Sequence, residues 1–318
     1  MTLNTRNVQP VTTSFRSSYL ALLADAWAQH LTPRASDAPT VISLFAGCGG
    51  SSLGYSMAGY RELLAVETFK LNFLEVPVYH GDIAKLSVED VLARASLQPE
   101  ELDVLDGSPP CQGFSTAGKR EMGDSRNQLF REYVRLLRGL RPKVFVMENV
   151  SGMVKGKMKL IFVEILKELK ASGYKVSVRL MNAMYFHVPQ SRQRLIFIGV
   201  REDVGKPSHP RPQARPIDGR TVVPELAATR FLSWRKAKRK DRLVAPGGVP
   251  CGITKKGIDL EGRKLYRDPR GVKLFFSFPP SWKLYGKPQE QLDRIGNSVP
   301  PLLMRAIAQH IREHVLKV

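Results

Sequence analysis

The stretch "DGSPPCQGFS", residues 106–115, places two prolines directly before Cys111. Each proline fixes φ and removes a backbone donor, so Cys111 is predicted to lie on a stiff loop and not in a helix or central strand. Such loops often carry catalytic groups because a rigid scaffold fixes their aim. A free thiol has a pKa of about 8.5, so a nucleophilic Cys111 needs a cationic or hydrogen-bonding neighbour. The alternative is a structural cysteine buried in a turn.

Charged residues that could assist this thiol lie beside two later apolar segments. Glu148 and Asn149 follow "VFVM", and Arg192 and Arg194 precede "LIFIGV". A carboxyl group and guanidinium groups beside one thiol suit a polar heteroaromatic substrate that needs protonation and charge stabilisation at different atoms. Taken singly, the glutamate could cap a turn and the arginines could pair with acids.

Short apolar segments alternate with amphipathic ones around these residues. The apolar segments are residues 41–45, "RELLAVE" ending at Glu67, "DVLDG", "KVFVMEN" and "RLIFIGV". The amphipathic segments include "NQLFREYVRLLRGL" and "LIFVEILKELKAS". Strands that alternate with helices predict parallel βαβ units and a three-layer α/β fold. The candidate residues then meet at the carboxyl edge of one sheet.

A glycine-rich turn follows the first predicted strand and allows a ligand to approach the backbone closely. The turn comprises Ala46, Gly47, Gly49 and Gly50, and its pattern differs from the GxGxxG of dinucleotide sites. Glu67, at the end of the second strand, is placed to accept hydrogen bonds from ribose hydroxyls. Asp82 in "HGDI" follows a possible third strand and could reach an adenine amino group. This order of features predicts an adenosine-type cofactor.

The charge balance points to a polyanionic partner. The sequence has 49 Lys+Arg against 29 Asp+Glu, a net charge of +20 and a pI near 10.1. Nucleic acid is the leading expectation, an anionic membrane surface is weaker, and a basic surface without a partner is the alternative. The sequence has no apolar run of membrane-spanning length and no signal-peptide core, so we expect an intracellular protein. Cys48, Cys111 and Cys251 are too widely spaced for a metal site, which favours a reduced compartment and no metal.

In several ordered motifs the chain resembles the DNA (cytosine-5)-methyltransferase family. They are "FAGCGG", Glu67, "GDI", "GSPPCQGFS", "DSRNQLF", "MENV", "PQSRQR" and "RIGNSVPP", within residues 41–200 and 293–318. The resemblance implies a Rossmann-like S-adenosylmethionine-dependent methyltransferase fold of the α/β class, with a mostly parallel sheet and helices on both faces. A small target-recognition domain is implied as well, in a stand-alone modification methylase of bacterial or phage type.

The resemblance implies methyl transfer from S-adenosylmethionine to C5 of a cytosine that is flipped out of a specific short duplex DNA sequence. The implied catalytic set is Cys111, Glu148, Arg192, Arg194, Pro110 and Asn149. Cys111 matches the nucleophile that attacks C6, and Glu148 matches the residue that binds N3 and the exocyclic amine. The arginines match those that hold O2 and anionic groups. The carbonyl of Pro110 would accept a hydrogen bond from the cytosine amine.

By the same resemblance, cofactor contacts fall on the glycine-rich turn and on seven further positions. These are Phe45, Glu67, Asp82, Ile83, Leu129, Asn297 and Val299. DNA contacts are expected in two segments, the first of which, residues 115–126, resembles a mobile loop that closes over the site. The expected DNA-contacting residues are Gln112, Ser115, Lys119 and Arg120 near that loop, and Arg235, Lys236, Lys238 and Arg239 in a basic run.

The composition and the motifs predict four regions. Residues 1–39 form an N-terminal extension, and residues 40–200 form the cofactor-binding and catalytic domain. Residues 201–285, rich in proline and basic residues, form a small target-recognition domain. Residues 286–318 form a C-terminal segment that returns to the catalytic domain.

Each terminal region contains a predicted amphipathic helix. The N-terminal helix spans residues 17–30 and is expected to pack on the surface through Leu20, Leu23, Ala24 and Trp27. The C-terminal helix begins at Pro300 and Pro301, which suit a first helical turn. Its apolar stripe comprises Leu303, Ile307, Ile311 and Val315.

The sequence departs from the family pattern at three positions. The first motif usually begins with an acid where Ser43 stands here. In "RGVKLFFSFP", residues 270–279, Leu274 and Phe276 replace the arginine and glutamine usual in an element that organises the recognition domain.

Two other functions compete with DNA methylation. The RNA branch of the family methylates transfer RNA but carries a Cys-Phe-Thr signature, whereas Cys251 is followed by Gly252. A DNA-binding regulator would need a helix-turn-helix, and residues 1–39 contain only one predicted helix. For the enzyme we expect monomeric action in the cytoplasm on nucleoid DNA, with double-stranded DNA as partner. A cognate restriction endonuclease that acts separately is also possible.

Overall fold

A seven-stranded sheet with helices on both faces forms the body of the molecule. The computed structural model describes residues 13–66, 72–110, 125–154, 156, 158–219, 222–223, 253–254, 257–259 and 265–318. The helices are α1 (Thr13–Leu31), α2 (Gly50–Met57), α3 (Val88–Ala95), α4 (Ser125–Leu140), α5 (Met158–Ala171), α6 (Pro269–Phe275), α7 (Pro288–Asn297) and α8 (Pro301–Ile311). Along the described part of the chain, no helix has the length and apolar character needed to cross a bilayer.

The strands of the main sheet have the order β3-β2-β1-β4-β5-β7-β6. They are β1 (Thr40–Leu44), β2 (Arg61–Val66), β3 (Val78–Tyr79), β4 (Val104–Gly107), β5 (Val144–Val150), β6 (Tyr174–Asn182) and β7 (Gln193–Arg201). Strands β1 to β5 pair in parallel, and β7 runs antiparallel to both β5 and β6. The predicted α/β fold with a mostly parallel sheet is therefore confirmed.

The sheet separates two hydrophobic cores. On one face, Val41 and Val104 pack with residues of α1, α2 and α8. On the other face, Ile42 and Leu105 pack with residues of α3, α4 and α5. Successive side chains of a strand point to opposite faces, so a strand between two helix layers is apolar throughout. The strand "TVISL" follows this pattern except at Thr40 and Ser43.

The C-terminal helix returns to the first half of the chain, as its apolar stripe predicts. Pro300 precedes the first turn of α8, and Leu303, Ile307 and Ile311 are buried. The helix packs against α2 so closely that a Cβ atom on Gly54 would lie 2.5 Å from Met304 Cβ and 2.7 Å from the Pro301 carbonyl oxygen. This contact requires glycine at position 54.

The N-terminal helix forms where it is predicted but uses a slightly different face. Leu23 is buried, and Leu20 and Trp27 are partly buried in the core, whereas Ala24 is exposed. The prediction for Ala24 was wrong because the buried face is centred on Tyr19, Leu23 and Ala26, and Ala24 lies outside it. The helix thus lies on the core formed by α2 and α8.

The segment before α7 also belongs to this core. Val272, Phe275 and Trp282 are at most 1% exposed and pack in the same cluster as α2 and α8. Three short strands, β8 (Ile253–Thr254), β9 (Gly257–Asp259) and β10 (Leu265–Tyr266), form a separate antiparallel sheet. The proposed division into four regions stays a prediction.

The close packing at Gly54 gives a test of the fold. Alanine favours a helix over glycine by about 1 kcal/mol, but a methyl group here would overlap the backbone of α8. We expect Gly54→Ala to lower the free energy of unfolding by about 2 kcal/mol, measured by urea denaturation. Gly152→Ala is the control, since a Cβ atom there meets no atom within 4 Å. A stability gain in Gly54→Ala would contradict the α2–α8 packing.

Candidate active site

Glu148 and Arg194 form a buried ion pair at the carboxyl end of β5. Arg194 Nε lies 2.6 Å from Glu148 Oε1, and the two side chains are 18% and 10% exposed. The strand register explains the pairing, because Arg194 stands opposite Val150, two residues beyond Glu148 on the same face of the sheet. The pair presents hydrogen-bonding groups of opposite charge at one spot, so it can hold a polar ring at an acceptor and a donor atom together.

Asn149 connects this strand end to the loop that leads to Cys111. Its side-chain amide donates to the Pro109 carbonyl at 3.5 Å, and its carbonyl oxygen accepts from the Val150 amide at 2.8 Å. Pro109 is buried and Pro110 is exposed. The structure therefore brings Glu148, Asn149 and Arg194 together beside the proline pair that precedes Cys111. Cys111 itself lies outside the described residues.

The glycine-rich turn leaves its backbone open at the carboxyl end of β1. Phe45, Gly47 and Gly49 have φ values of 58°, 54° and 81°. A non-glycine residue rarely adopts such a φ, and strained backbone of this kind often occurs at ligand sites. The turn is held to β2 by the Ala46 amide, which donates to the Val66 carbonyl at 3.1 Å. Gly47 is exposed, so a ligand can contact the backbone there.

The other predicted cofactor residues differ in their exposure to solvent. Asp82 and Asn297 are exposed, Leu129 is partly buried, and Ile83 and Val299 are buried. The Asp82 carboxylate accepts from the Ala84 amide at 3.0 Å and so caps the short turn at Ile83–Lys85. Gly50 packs against residues 298–299, which brings the C-terminal segment to the glycine-rich turn. Glu67 lies outside the described residues.

Arg192 has other partners than Arg194. Its Nη2 donates to the carbonyls of Gly296 and Ser298 at 2.9 and 3.0 Å, and its guanidinium lies 4.9 Å from the Phe276 ring centre. Burial, and then the charge of Arg194, lowers the pKa of Arg192 to about 9, which still leaves it protonated at neutral pH. In this structure Arg192 holds the turn that carries Asn297.

The two departures in "RGVKLFFSFP" acquire contacts of their own. Phe276 is buried and supplies the aromatic face on which Arg192 stacks. The backbone carbonyl of Leu274 accepts a hydrogen bond from Tyr19 of α1 at 2.7 Å. Gln190 further ties the element to the loop before β7, because its side-chain amide donates to the Phe275 carbonyl at 2.6 Å.

A buried polar cluster that the sequence analysis missed lies between the sheet and α2. Glu62 on β2 and Asp106 on β4 flank Ser43 on β1, and the hydroxyl of Ser51 donates to Asp106. Burial raises the pKa of Glu62 to about 8, against the effect of the nearby Ser43 and Ser52 hydroxyls. Burial also raises the pKa of Asp106 to about 7. Carboxyl groups on both neighbouring strands thus surround the serine that stands where the family has an acid.

A single feature of the sequence could have revealed this cluster. Glu62 and Asp106 interrupt the otherwise apolar segments "RELLAVE" and "DVLDG", and a charged residue inside a buried strand requires polar neighbours.

Cys48 is the one cysteine among the described residues, and its environment disfavours reaction. Burial raises the pKa of the Cys48 thiol to about 11, and its sulfur lies 3.5 Å from the Arg294 carbonyl oxygen. A thiol with a raised pKa is a poor nucleophile at neutral pH.

The predicted DNA-contacting residues all lie outside the described part of the chain. They are Gln112, Ser115, Lys119, Arg120, Arg235, Lys236, Lys238 and Arg239. Most of the loop at 115–126 lies there too.

Comparison with known proteins places this architecture among DNA methylases. Residues 39–241 match the family of C-5 cytosine-specific DNA methylases. The Type II methyltransferase M.NgoPII of Neisseria gonorrhoeae is 39% identical, over 90% of this chain and 98% of that protein. The Type II methyltransferase M1.HphI of Haemophilus parahaemolyticus is 33% identical, over 86% of each. The Dnmt2 methyltransferase of S. pombe shares the fold, with a TM-score of 0.62 and 18% identity over 86% of this chain and 98% of that one.

The buried carboxyl groups predict an unusual dependence of stability on pH. Glu62 titrates near 4.5 when unfolded and near 8 when folded, so between these values the native state keeps a proton that the unfolded chain has lost. Stability therefore falls as the pH rises through this range. Glu62→Gln should raise the free energy of unfolding at pH 8 on the order of 2 kcal/mol, with little change at pH 4.5.

Urea denaturation at the two pH values measures this difference. Exposed Glu75→Gln is the matched control and should show no such pH-dependent gain. An equal effect of Glu62→Gln at both pH values would refute the protonated, buried state of Glu62.

Proposed function

Because this chain belongs to the C-5 cytosine-specific DNA methylase family, we propose that it methylates C5 of a cytosine flipped out of a specific short duplex DNA sequence. Cytosine methylation of DNA with a methyl-donor cofactor is the activity of this enzyme class, and S-adenosylmethionine is the proposed donor. The observation that carries the proposal is the buried Glu148–Arg194 pair, which Asn149 links to the loop before Cys111.

Cys111 is the proposed nucleophile. Its thiolate forms a bond to C6 of the target ring, and the electrons of the C5–C6 double bond move into the ring and make C5 nucleophilic. After methyl transfer, C5 loses its proton, the double bond forms again, and the bond to Cys111 breaks. The stiffness of two consecutive prolines supports this role, because the attack requires a fixed direction of the thiol.

Glu148 and Arg194 are the proposed groups that bind the cytosine ring. Glu148 holds N3 and the exocyclic amine, and it assists protonation at N3 as the thiolate adds to C6. Arg194 keeps the glutamate oriented through their 2.6 Å contact and faces O2, the carbonyl oxygen on C2 of the cytosine. The exposed Pro110 offers its carbonyl to the exocyclic amine. Arg192 positions the turn that carries Asn297, because its Nη2 donates to the Gly296 and Ser298 carbonyls.

The residues around the glycine-rich turn fit an adenosine-type methyl donor. The backbone at Gly47 is open to a ligand, Asp82 and Asn297 supply exposed polar groups, and the partly buried Leu129 supplies apolar surface. The proposed binding set is Phe45, Ala46, Gly47, Gly49, Gly50, Glu67, Asp82, Ile83, Leu129, Asn297 and Val299. When bound, S-adenosylmethionine supplies the electrophilic methyl group for C5.

DNA binding is proposed for the basic segments outside the described residues. The net charge of +20 favours contact with phosphates, and the basic run at 235–239 is its densest part. We further propose monomeric action on nucleoid DNA in the cytoplasm, with a cognate restriction endonuclease acting separately. The transfer-RNA alternative is not favoured, because the curated relatives are Type II methyltransferases and a Cys-Phe-Thr signature is missing from the sequence.

Bisulfite sequencing of plasmid DNA from cells that express the protein tests the proposed function. We expect protected cytosines in one short sequence motif with the wild type and none with Cys111→Ser, because serine is a far weaker nucleophile toward C6. Cys251→Ser is the matched control and should protect the same motif, because the proposed mechanism gives Cys251 no part. Protection by Cys111→Ser equal to that by the wild type would exclude the covalent mechanism.

The salt dependence of DNA binding tests the role of the basic run. Affinity should fall steeply between about 50 and about 200 mM salt, because phosphate contacts release counterions. Each of Lys236→Gln, Lys238→Gln and Arg239→Gln should lower the slope of log affinity against log salt by about one unit, measured by fluorescence anisotropy. Lys175→Gln, on the edge strand β6, should leave the slope unchanged. A flat salt response of the wild type would contradict phosphate contact.

A further inference from the structure

Five aromatic side chains from three parts of the chain form one continuous cluster, here called the aromatic brace. Its members are Trp27, His30, Phe73, Phe278 and Trp282. Trp282 lies at the centre, with its ring centre 6.2 Å from Trp27, 5.7 Å from Phe73 and 5.6 Å from Phe278. Trp282 meets Trp27 and Phe73 edge to face, whereas its ring and that of Phe278 are tilted by 32°. Edge-to-face contacts at such distances add directional stabilisation to the burial of the rings. Trp27 and His30 come from α1, which is thereby part of the brace.

The brace reaches the glycine-rich turn through Phe278. A Cβ atom on Gly50 would lie 3.2 Å from Phe278 Cζ and 3.2 Å from Ser298 Cβ, so the first residue of α2 rests on Phe278 and on the C-terminal segment. Phe278 is fully buried and has Trp282 behind it. The described contacts therefore run from Trp27 through Trp282 and Phe278 to Gly50.

The N-terminal helix is fixed by polar contacts in its first half and near its end. In the first half, the Tyr19 hydroxyl donates to the Leu274 carbonyl at 2.7 Å. Near its end, His30 Nδ1 lies 2.8 Å from the Ser56 hydroxyl at the end of α2. Arg34, just beyond the helix, donates to the Ser56 carbonyl at 2.6 Å. These bonds hold α1 in one orientation over Trp282.

The state of His30 agrees with its place in an apolar cluster. Burial, and then the charge of Arg34, lowers the pKa of His30 to about 4, so the ring is neutral near pH 7. A neutral ring can pack against Phe73, whose ring centre lies 5.1 Å away, without burying a charge.

The loop after β2 is joined to the same brace. Asn72 makes a reciprocal pair of hydrogen bonds with the backbone of Lys283, each 2.8 Å long, directly beside Trp282. Phe73 follows Asn72 in the chain and is only 7% exposed. The brace therefore contacts both the glycine-rich turn after β1 and residues 72–73 after β2.

We propose that α1 is a positioning element of the methyl-donor site, and that Trp27 acts through Trp282 and Phe278 to hold the glycine-rich turn in its binding geometry. This inference rests on the proposed function for the identity of the donor. The helix precedes residue 39, where the family match begins, so the role belongs to this chain's own N-terminal extension and not to the matched segment. In this proposal, Trp27 contacts neither the methyl donor nor the DNA.

The experiment measures binding of S-adenosylhomocysteine to the full chain by isothermal titration calorimetry. Trp27→Ala should weaken binding roughly three- to tenfold, because removing a coupled packing contact shifts the turn away from its binding geometry. In steady-state assays the KM for S-adenosylmethionine should rise by a similar factor, with the KM for DNA and the kcat at saturating donor unchanged. Trp27→Phe, which keeps an aromatic ring against Trp282, should restore most of the affinity.

Two control variants separate this role from general stability. Leu23→Ala removes a buried side chain of the same helix outside the brace, so it should lower the melting temperature but leave the affinity unchanged. Leu31→Ala truncates a side chain that is 63% exposed and should change neither quantity. If Trp27→Ala does not fold, Trp27→Leu carries the same expectation.

Each outcome has a definite meaning. Wild-type affinity in Trp27→Ala, or equal weakening in Leu23→Ala, would overturn the positioning role and leave the proposed function intact. Failure of the wild-type protein to bind S-adenosylhomocysteine would instead overturn the proposed function, and the inference with it.

Discussion

The antiparallel pairing of β5 with β7 is the constraint on which the candidate site depends. Because Arg194 stands opposite Val150, its side chain shares a face with Glu148 and reaches it. A shift of one residue in this register would turn Arg194 to the other face and leave a buried carboxylate without its partner. A buried charge without a partner is strongly unfavourable, so the ion pair and the register enforce each other. The rest of the site is arranged around this fixed point by the parallel strands β1 and β4.

The sequence was sufficient to predict the parts that depend on local pattern. Apolar segments that alternate with amphipathic ones located β1, β2, β4 and β5, and the proline pair and glycine-rich turn located two loops at one edge. The strand β6 was missed because seven of its nine residues are exposed or partly exposed, so it lacks the continuous apolar pattern of a central strand. The antiparallel direction of β7 was equally hidden, since the direction of a strand leaves no trace in the periodicity of its side chains.

Contacts between distant segments could not be predicted from the sequence. Arg192 and Arg194 have the same chemistry and lie two residues apart, yet one pairs with Glu148 and the other with backbone carbonyls more than a hundred positions later. Only the packing of the C-terminal segment beside β7 distinguishes them. Likewise, Ser43 stands where the family has an acid. Its environment is evident only from the structure, which places the carboxyl groups of Glu62 and Asp106 on the two neighbouring strands. A polar group inside a core is compensated by whichever strands are its neighbours in space, and the order of strands in the sheet is a tertiary property.

The packing of α8 on α2 also has a consequence for the synthesis of this protein. Tyr60 donates a hydrogen bond to the Ala308 carbonyl, 248 positions later, so one of the two cores cannot close until α8 has left the ribosome. The apolar surfaces of β1 and α2 therefore remain exposed while the segments between α2 and α8 are synthesised. Contacts of such long range slow folding and prolong the exposure of aggregation-prone surface. The nascent chain is thus expected to depend on chaperones until α8 emerges, and mutations in this last helix are expected to reduce the yield of folded protein in the cell.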